Sequence, residues 1–117
     1  MTPEPCEFEL RAEGTGATAL VAVKGELDIA TLPELEQVVR SLRSPDLERL
    51  VVDLREVAFL DSMSIEMLLR LHTELADAGA ELLVVRGPRA VHRVFELTGL
   101  DQVLVMVDQP PARVTPS

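Results

Sequence analysis

Tryptophan and tyrosine are absent from these 117 residues, and only three phenylalanines are present. The core must therefore be aliphatic, and the aromatic platforms on which single-stranded nucleic acids stack are missing. Cysteine occurs once, as Cys6, which excludes an intrachain disulfide and a cysteine-based zinc site. Cations are the scarcer sign, 11 Lys and Arg against 20 Asp and Glu, for a net charge of −9. That balance opposes binding to phosphate backbones and anionic lipid, and it favours solubility. No apolar run reaches membrane-spanning length, and no cationic start with an apolar stretch opens the chain. These absences predict a soluble cytoplasmic protein with neither nucleic acid nor membrane as partner.

Hydrophobic residues make up 47% of the chain, enough for one domain that buries roughly two thirds of its unfolded surface. From Glu7 to Glu13, charged residues alternate with Phe8, Leu10 and Ala12, the period of a half-buried strand. Gly14-Thr15-Gly16 supplies a turn and Ala17 to Lys24 a returning strand, together a hairpin. Thr31 precedes Glu34 by three positions with Pro33 between them, which predicts a capping box at a helix start. Leu35, Val38, Val39 and Leu42 give that helix one apolar face.

Leu50 to Leu54 is apolar without alternation and reads as the central buried strand, followed by a brief loop. A second helix begins after Asp61 and runs to about Ala78, where Gly79 can stop it in a left-handed conformation. Its expected core stripe is Ile65, Leu68, Leu69, His72, Leu75 and Ala76. Glu81 to Arg86 is the next strand, and Val91, Val94 and Phe95 mark a third helix stopped at Gly99. Val103 to Val107 is the last strand. Residues 1–108 then form the domain and 109–117 a flexible tail. The order predicts an α/β fold: a small mixed, largely parallel sheet with an N-terminal antiparallel hairpin, flanked by helices. Loops leaving the carboxyl ends of parallel strands gather at one rim, and Asp28, Asp61 and Ser62 fall on such loops.

Little here supports catalysis. Gly-x-Ser-x-Gly does not occur, and no glycine-rich phosphate loop is present. His72 lies within its helix's apolar stripe and reads as structural. Asp28, Asp53 and Asp61 could gather around magnesium, but acidic residues at strand ends more commonly cap loops. Neither cofactor nor metal is expected. Ser62 has two readings. With Asp61 as cap, it stands in the first helical turn either as an ordinary serine or as a place where phosphate can be added. There the helix dipole would tolerate a phosphate, while Asp61 would repel it. At 100° per residue, Met63 and Met67 fall opposite the expected core stripe, as an adaptable apolar patch or as two incidental exposed side chains.

Gly25-Glu26-Leu27-Asp28, Leu50-Val51-Val52-Asp53-Leu54, Val57 through Asp61-Ser62, and Leu97-Thr98-Gly99-Leu100 resemble the STAS domain, in particular the bacterial anti-sigma factor antagonists. The resemblance extends from about Phe8 to Val107. It implies a partner-switching cycle. The unphosphorylated antagonist binds an anti-sigma factor that is also a serine kinase, phosphorylation abolishes binding, and a metal-dependent serine phosphatase restores it. Ser62 then falls on the phosphorylated serine, Asp61 on the acidic residue before it, and Asp28 on a loop aspartate near the partner surface. Asp28, Asp61, Ser62, Met63, Ser64 and Met67 are the expected partner-binding residues. After Ser62 the chain departs from the family's Asp-Ser-Ser-Gly or Asp-Ser-Thr-Gly, because Met63 and Ser64 follow. Glu66 stands where a small residue is common. A different class fits the same fold: a non-switching STAS interaction subunit of a lipid-transport complex or signalling scaffold.

Overall fold

Strand and helix alternate as the hydrophobic periods require. In the computed structural model, residues 8–15 and 17–111 are described, so the expectations for Cys6, Glu7, Gly16 and the tail beyond 111 lie outside them. The chain runs β1 (Glu9–Thr15), β2 (Thr18–Leu27), α1 (Leu32–Leu42), β3 (Arg49–Leu60), α2 (Ser62–Asp77), β4 (Glu81–Val85), α3 (Arg89–Thr98) and β5 (Val105–Val107). The sheet has the order β1-β2-β3-β4-β5. β1 and β2 are antiparallel and every later pair is parallel.

A sheet whose order follows the chain fixes where its helices go. Each parallel crossover steps in the same direction, and right-handed crossovers then put every helix on one face. The main core bears this out, joining Leu35 and Val39, Leu68 and Leu75, and Val91 and Phe95 to Val21, Val23, Val52, Leu54 and Val84. The opposite face holds a smaller cluster made of strand residues alone, Leu20, Val51, Leu83 and Val85. Phe95 is fully buried and anchors α3 in an otherwise aliphatic interior. Gly79 and Gly99 adopt φ of 80° and 77° at the ends of α2 and α3, the left-handed stop expected of glycine there.

β5 begins at Val105 rather than Val103, and three larger sequence expectations are corrected. The central strand does not end at Leu54. It continues to Leu60, pairing Glu56, Val57, Phe59 and Leu60 with Lys24 to Leu27 across two register shifts. Each shift places an extra residue on β3, which breaks the alternation a strand would otherwise display. Thr31 precedes α1 but forms no capping box. Its backbone is already helical and its side chain makes no cap bond. Its hydroxyl turns back into the preceding loop instead, donating to Glu26 O at 2.9 Å and accepting the Asp28 N–H at 2.9 Å.

The third correction concerns α2. It buries Ser64, Ile65, Met67, Leu68, Leu71 and Leu75, while Leu69 is 36% exposed and Ala76 is exposed. At 3.6 residues per turn, the buried face is rotated by roughly 60° from the expected stripe. The cause is α1, which packs along that flank. Met67 and Leu71 meet Val39 in the cleft between the two helices. Over it, Arg70 pairs with Glu36 at 3.1 Å and Arg43 with Glu74 at 2.9 Å.

Candidate functional site

The rim at the carboxyl ends of β2 and β3 is organised by two aspartates. In the β2–α1 loop, half-buried Asp28 accepts the Ala30 N–H at 3.0 Å and the Thr31 N–H at 3.2 Å on Oδ1. Its carbonyl accepts the Leu32 N–H at 2.8 Å. Asp28 thus works as a loop cap, as short acidic side chains at turns commonly do.

Asp61 is the N-cap of α2, with extended backbone and its Oδ1 accepting the Ser64 N–H at 3.0 Å. Its Oδ2 reaches the other loop and accepts the Ile29 N–H at 3.2 Å. One carboxylate therefore joins two chain segments. Partial burial pushes the Asp61 carboxyl upward, but hydrogen bonds from the Ser64 backbone and hydroxyl and from the Ile29 and Met63 backbones outweigh it. The net effect holds Asp61 below the usual carboxylate range, since donors to a carboxylate favour its charged form.

Ser62 is the first residue of α2 and is exposed. Its hydroxyl has no hydrogen bond among the described residues, although the helix N-terminus lies beside it. Met63 follows at 44% exposure. Ile29, across the Asp61 bridge, is 68% exposed. Two exposed apolar side chains thus stand on segments bonded to the same carboxylate, and Ser62 lies between Asp61 and Met63 in the chain. Ile29 was not among the residues expected from sequence. A lone isoleucine between turn-forming Asp28 and the Thr31 region is the signal that could have singled it out.

Two expected partner residues are placed elsewhere. Ser64 is fully buried, its Oγ 2.8 Å from Leu27 O and 2.9 Å from Asp61 Oδ1. Met67 is only 4% exposed and belongs to the core. Neither is available at the surface: Ser64 turns inward at the first turn, and Met67 is covered by α1. Among the described residues, Asp28, Asp53 and Asp61 form no group able to hold a metal ion. Asp53, 5% exposed, instead faces Arg55, whose guanidinium donates to both its carboxylate oxygens at 2.8 to 3.2 Å. No helix of the described residues is long and apolar enough to cross a membrane.

A sequential five-stranded sheet with its first strand reversed, and an exposed serine after the Asp61 cap of α2, define a small α/β domain. The STAS domain model matches residues 9–112, and the chain belongs to that family. Over 84 residues it is 32% identical to an anti-sigma-B factor antagonist of Staphylococcus aureus, covering 72% of this chain and 78% of that protein. The corresponding antagonist of Staphylococcus epidermidis is 30% identical over the same coverage. Among solved structures, an anti-sigma factor antagonist from Mycobacterium paratuberculosis superposes with a TM-score of 0.79 at 29% identity, covering 92% of each chain. The unphosphorylated form of the antagonist SpoIIAA shares the fold, with a TM-score of 0.70 at 18% identity over 86% of this chain and 88% of that one. These relatives are regulatory STAS proteins, and this chain is a regulatory protein of that kind rather than an enzyme.

Proposed function

We propose that this chain is an anti-sigma factor antagonist of the cytoplasm, switched at Ser62. Unphosphorylated, it binds an anti-sigma factor that is also a serine kinase, and phosphorylation releases it. A metal-dependent serine phosphatase resets the cycle. The observation that carries this reading is the exposed, unbonded Ser62 hydroxyl at the start of α2, next to Asp61, whose carboxylate also binds the loop of exposed Ile29. In the transfer, Ser62 Oγ bonds to the γ-phosphorus of ATP as the bond to ADP breaks. The hydroxyl proton passes to a base of the kinase.

The added phosphate brings about −1.5 to −2 units of charge. It would stand next to Asp61 and Met63, where a partner interface would exclude water. A charge desolvated without a partner is strongly unfavourable, so binding should be lost without unfolding. The surface also favours a partner of particular chemistry. Asp28, Asp61 and exposed Glu66 give this rim an acidic character on a chain of net charge −9, complementary to an apolar socket edged with cations.

The test incubates wild type and Ser62→Ala with the anti-sigma kinase and ATP, then maps phosphate by peptide mass. One phosphate on Ser62 in the wild type and none in the variant is the expected result. Phosphate elsewhere, or none in the wild type, would overturn the assignment.

A further inference from the structure

We propose that Ser64 is the positioning residue of the docking face. Its buried hydroxyl fixes the Asp61 carboxylate in the orientation that reaches the Ile29 N–H, so that Ile29 and Met63 are presented at one spacing. This rests on the reading of that rim as a partner surface.

Ser64 has no exposed surface, yet its Oγ lies within hydrogen-bond distance of two acceptors, Leu27 O at 2.8 Å and Asp61 Oδ1 at 2.9 Å. A hydroxyl has one proton and serves one acceptor at a time. Both acceptors have a donor of their own besides it. Leu27 O takes the Asp61 N–H at 3.2 Å, and Asp61 Oδ1 takes the Ser64 N–H at 3.0 Å. The cap and the end of β2 are therefore satisfied without the hydroxyl. Ordinary helix capping does not account for a polar side chain at this buried position.

What the hydroxyl adds is direction. When the hydroxyl proton serves Asp61 Oδ1, that oxygen is held from two sides, by the Ser64 N–H and by Ser64 Oγ. A carboxylate is planar, so fixing Oδ1 and its rotation leaves Oδ2 one place to point. That place is the Ile29 N–H, 3.2 Å away. The rest of the β2–α1 loop is braced internally, by Asp28 Oδ1 on the Ala30 and Thr31 N–H groups and by Thr31 Oγ1 on Glu26 O. No such internal bond reaches Ile29 among the described residues. Its tether is Asp61, and the tether's aim depends on Ser64.

The test uses isotope-labelled wild type, Ser64→Ala and Ser64→Cys, with no partner present. NMR follows the Asp61 side-chain carboxyl through an acid titration together with the Ile29 amide. In the wild type, the two probes should report one midpoint. Ser64→Ala should move both midpoints upward and speed Ile29 amide exchange several-fold at neutral pH, leaving Leu71 and Leu75 amides unchanged. Ser64→Cys, a weaker donor of similar shape, should recover part of the difference. An unmoved Asp61 midpoint, or a loosening spread evenly along α2, would overturn the proposal. So would failure of Ser64→Ala to fold, since both acceptors retain backbone donors. Failure of the partner reading would appear separately, as a wild type that binds no anti-sigma kinase while this coupling persists.

Discussion

Asp61 Oδ2 accepts the backbone N–H of Ile29, 32 positions earlier in the chain, at 3.2 Å. With Oδ1 on the Ser64 N–H, a single side chain both starts α2 and pins the loop that leaves β2. The extended backbone at Asp61 is what lets the carboxylate face both ways. A helix cap thereby becomes a connection between the two loops of the rim.

Acid should undo that connection in a defined direction. The folded Asp61 carboxyl is held below its ordinary value, so its contribution is present above the unfolded-state value and lost as pH falls through the folded one. Unfolding by urea across a series below about pH 5 should show stability declining more shallowly in Asp61→Asn than in wild type. At neutral pH the same variant should keep a working helix cap, because Asn caps about as well as Asp, and lose only the part that depends on charge. Equal acid slopes in the two proteins would show that Asp61 does not contribute through its charge.

Ile29 and Met63 should matter to binding and hardly at all to folding. Both are exposed, and neither is part of the main core. Ile29→Glu and Met63→Glu should each change stability by no more than roughly 0.5 kcal/mol. Loss of an interface anchor costs about 1 to 3 kcal/mol, on the order of tenfold to a hundredfold in affinity. Titration calorimetry against the anti-sigma factor, beside thermal melts of each variant, separates the two effects. Binding unaltered in both variants would put the partner on another face.

Much of this fold was legible because periodicity reports burial. Gly79 and Gly99 marked the ends of α2 and α3, and Asp61 marked the start of α2. The unread parts have tertiary causes. From its pattern β3 ends at Leu54, because its pairing with β2 slips twice beyond Asp53 and the core residues Val57 and Leu60 then fall out of a simple alternation. From its spacing alone Met67 faces solvent, because a lone helix cannot reveal which flank its neighbour will cover. Thr31 had the right spacing to Glu34, but a nearer carbonyl at Glu26 took its hydroxyl. At the rim, Asp28, Asp61 and Ser62 stand together as read, whereas Ile29 is brought beside them by a contact between distant segments.

Met67 supplies the converse test of the helix register. It is 4% exposed, against 44% for Met63 one turn earlier, and it lines the cleft beside Val39 and Leu71. Truncating a buried methionine to alanine costs about 2 to 5 kcal/mol, through lost burial and the cavity left behind. Met67→Ala should therefore lower the melting temperature by many degrees, at several degrees per kcal/mol for a domain of this size. Met63→Ala should leave it nearly unchanged. Similar melting of the two variants would contradict the rotation of α2 toward α1.

The charge at Ser62 should act on the partner and spare the fold. A carboxylate in the first turn of α2 meets the positive end of the helix, worth about 0.3 to 1 kcal/mol when exposed. Asp61 next to it opposes that gain at close range, so the two effects largely cancel in the free protein. In the proposed complex they would not cancel, because the same carboxylate would enter a water-poor contact with Asp61 still beside it. Ser62→Asp should thus melt within a few degrees of wild type while losing at least tenfold in affinity, about 1.4 kcal/mol or more. Ser62→Ala, which removes an unbonded hydroxyl and adds no charge, should bind like wild type and resist release by the kinase and ATP. Competition between the two variants for one sample of anti-sigma factor reads the difference directly. A Ser62→Asp protein that binds as tightly as Ser62→Ala would remove charge at this position as the switch.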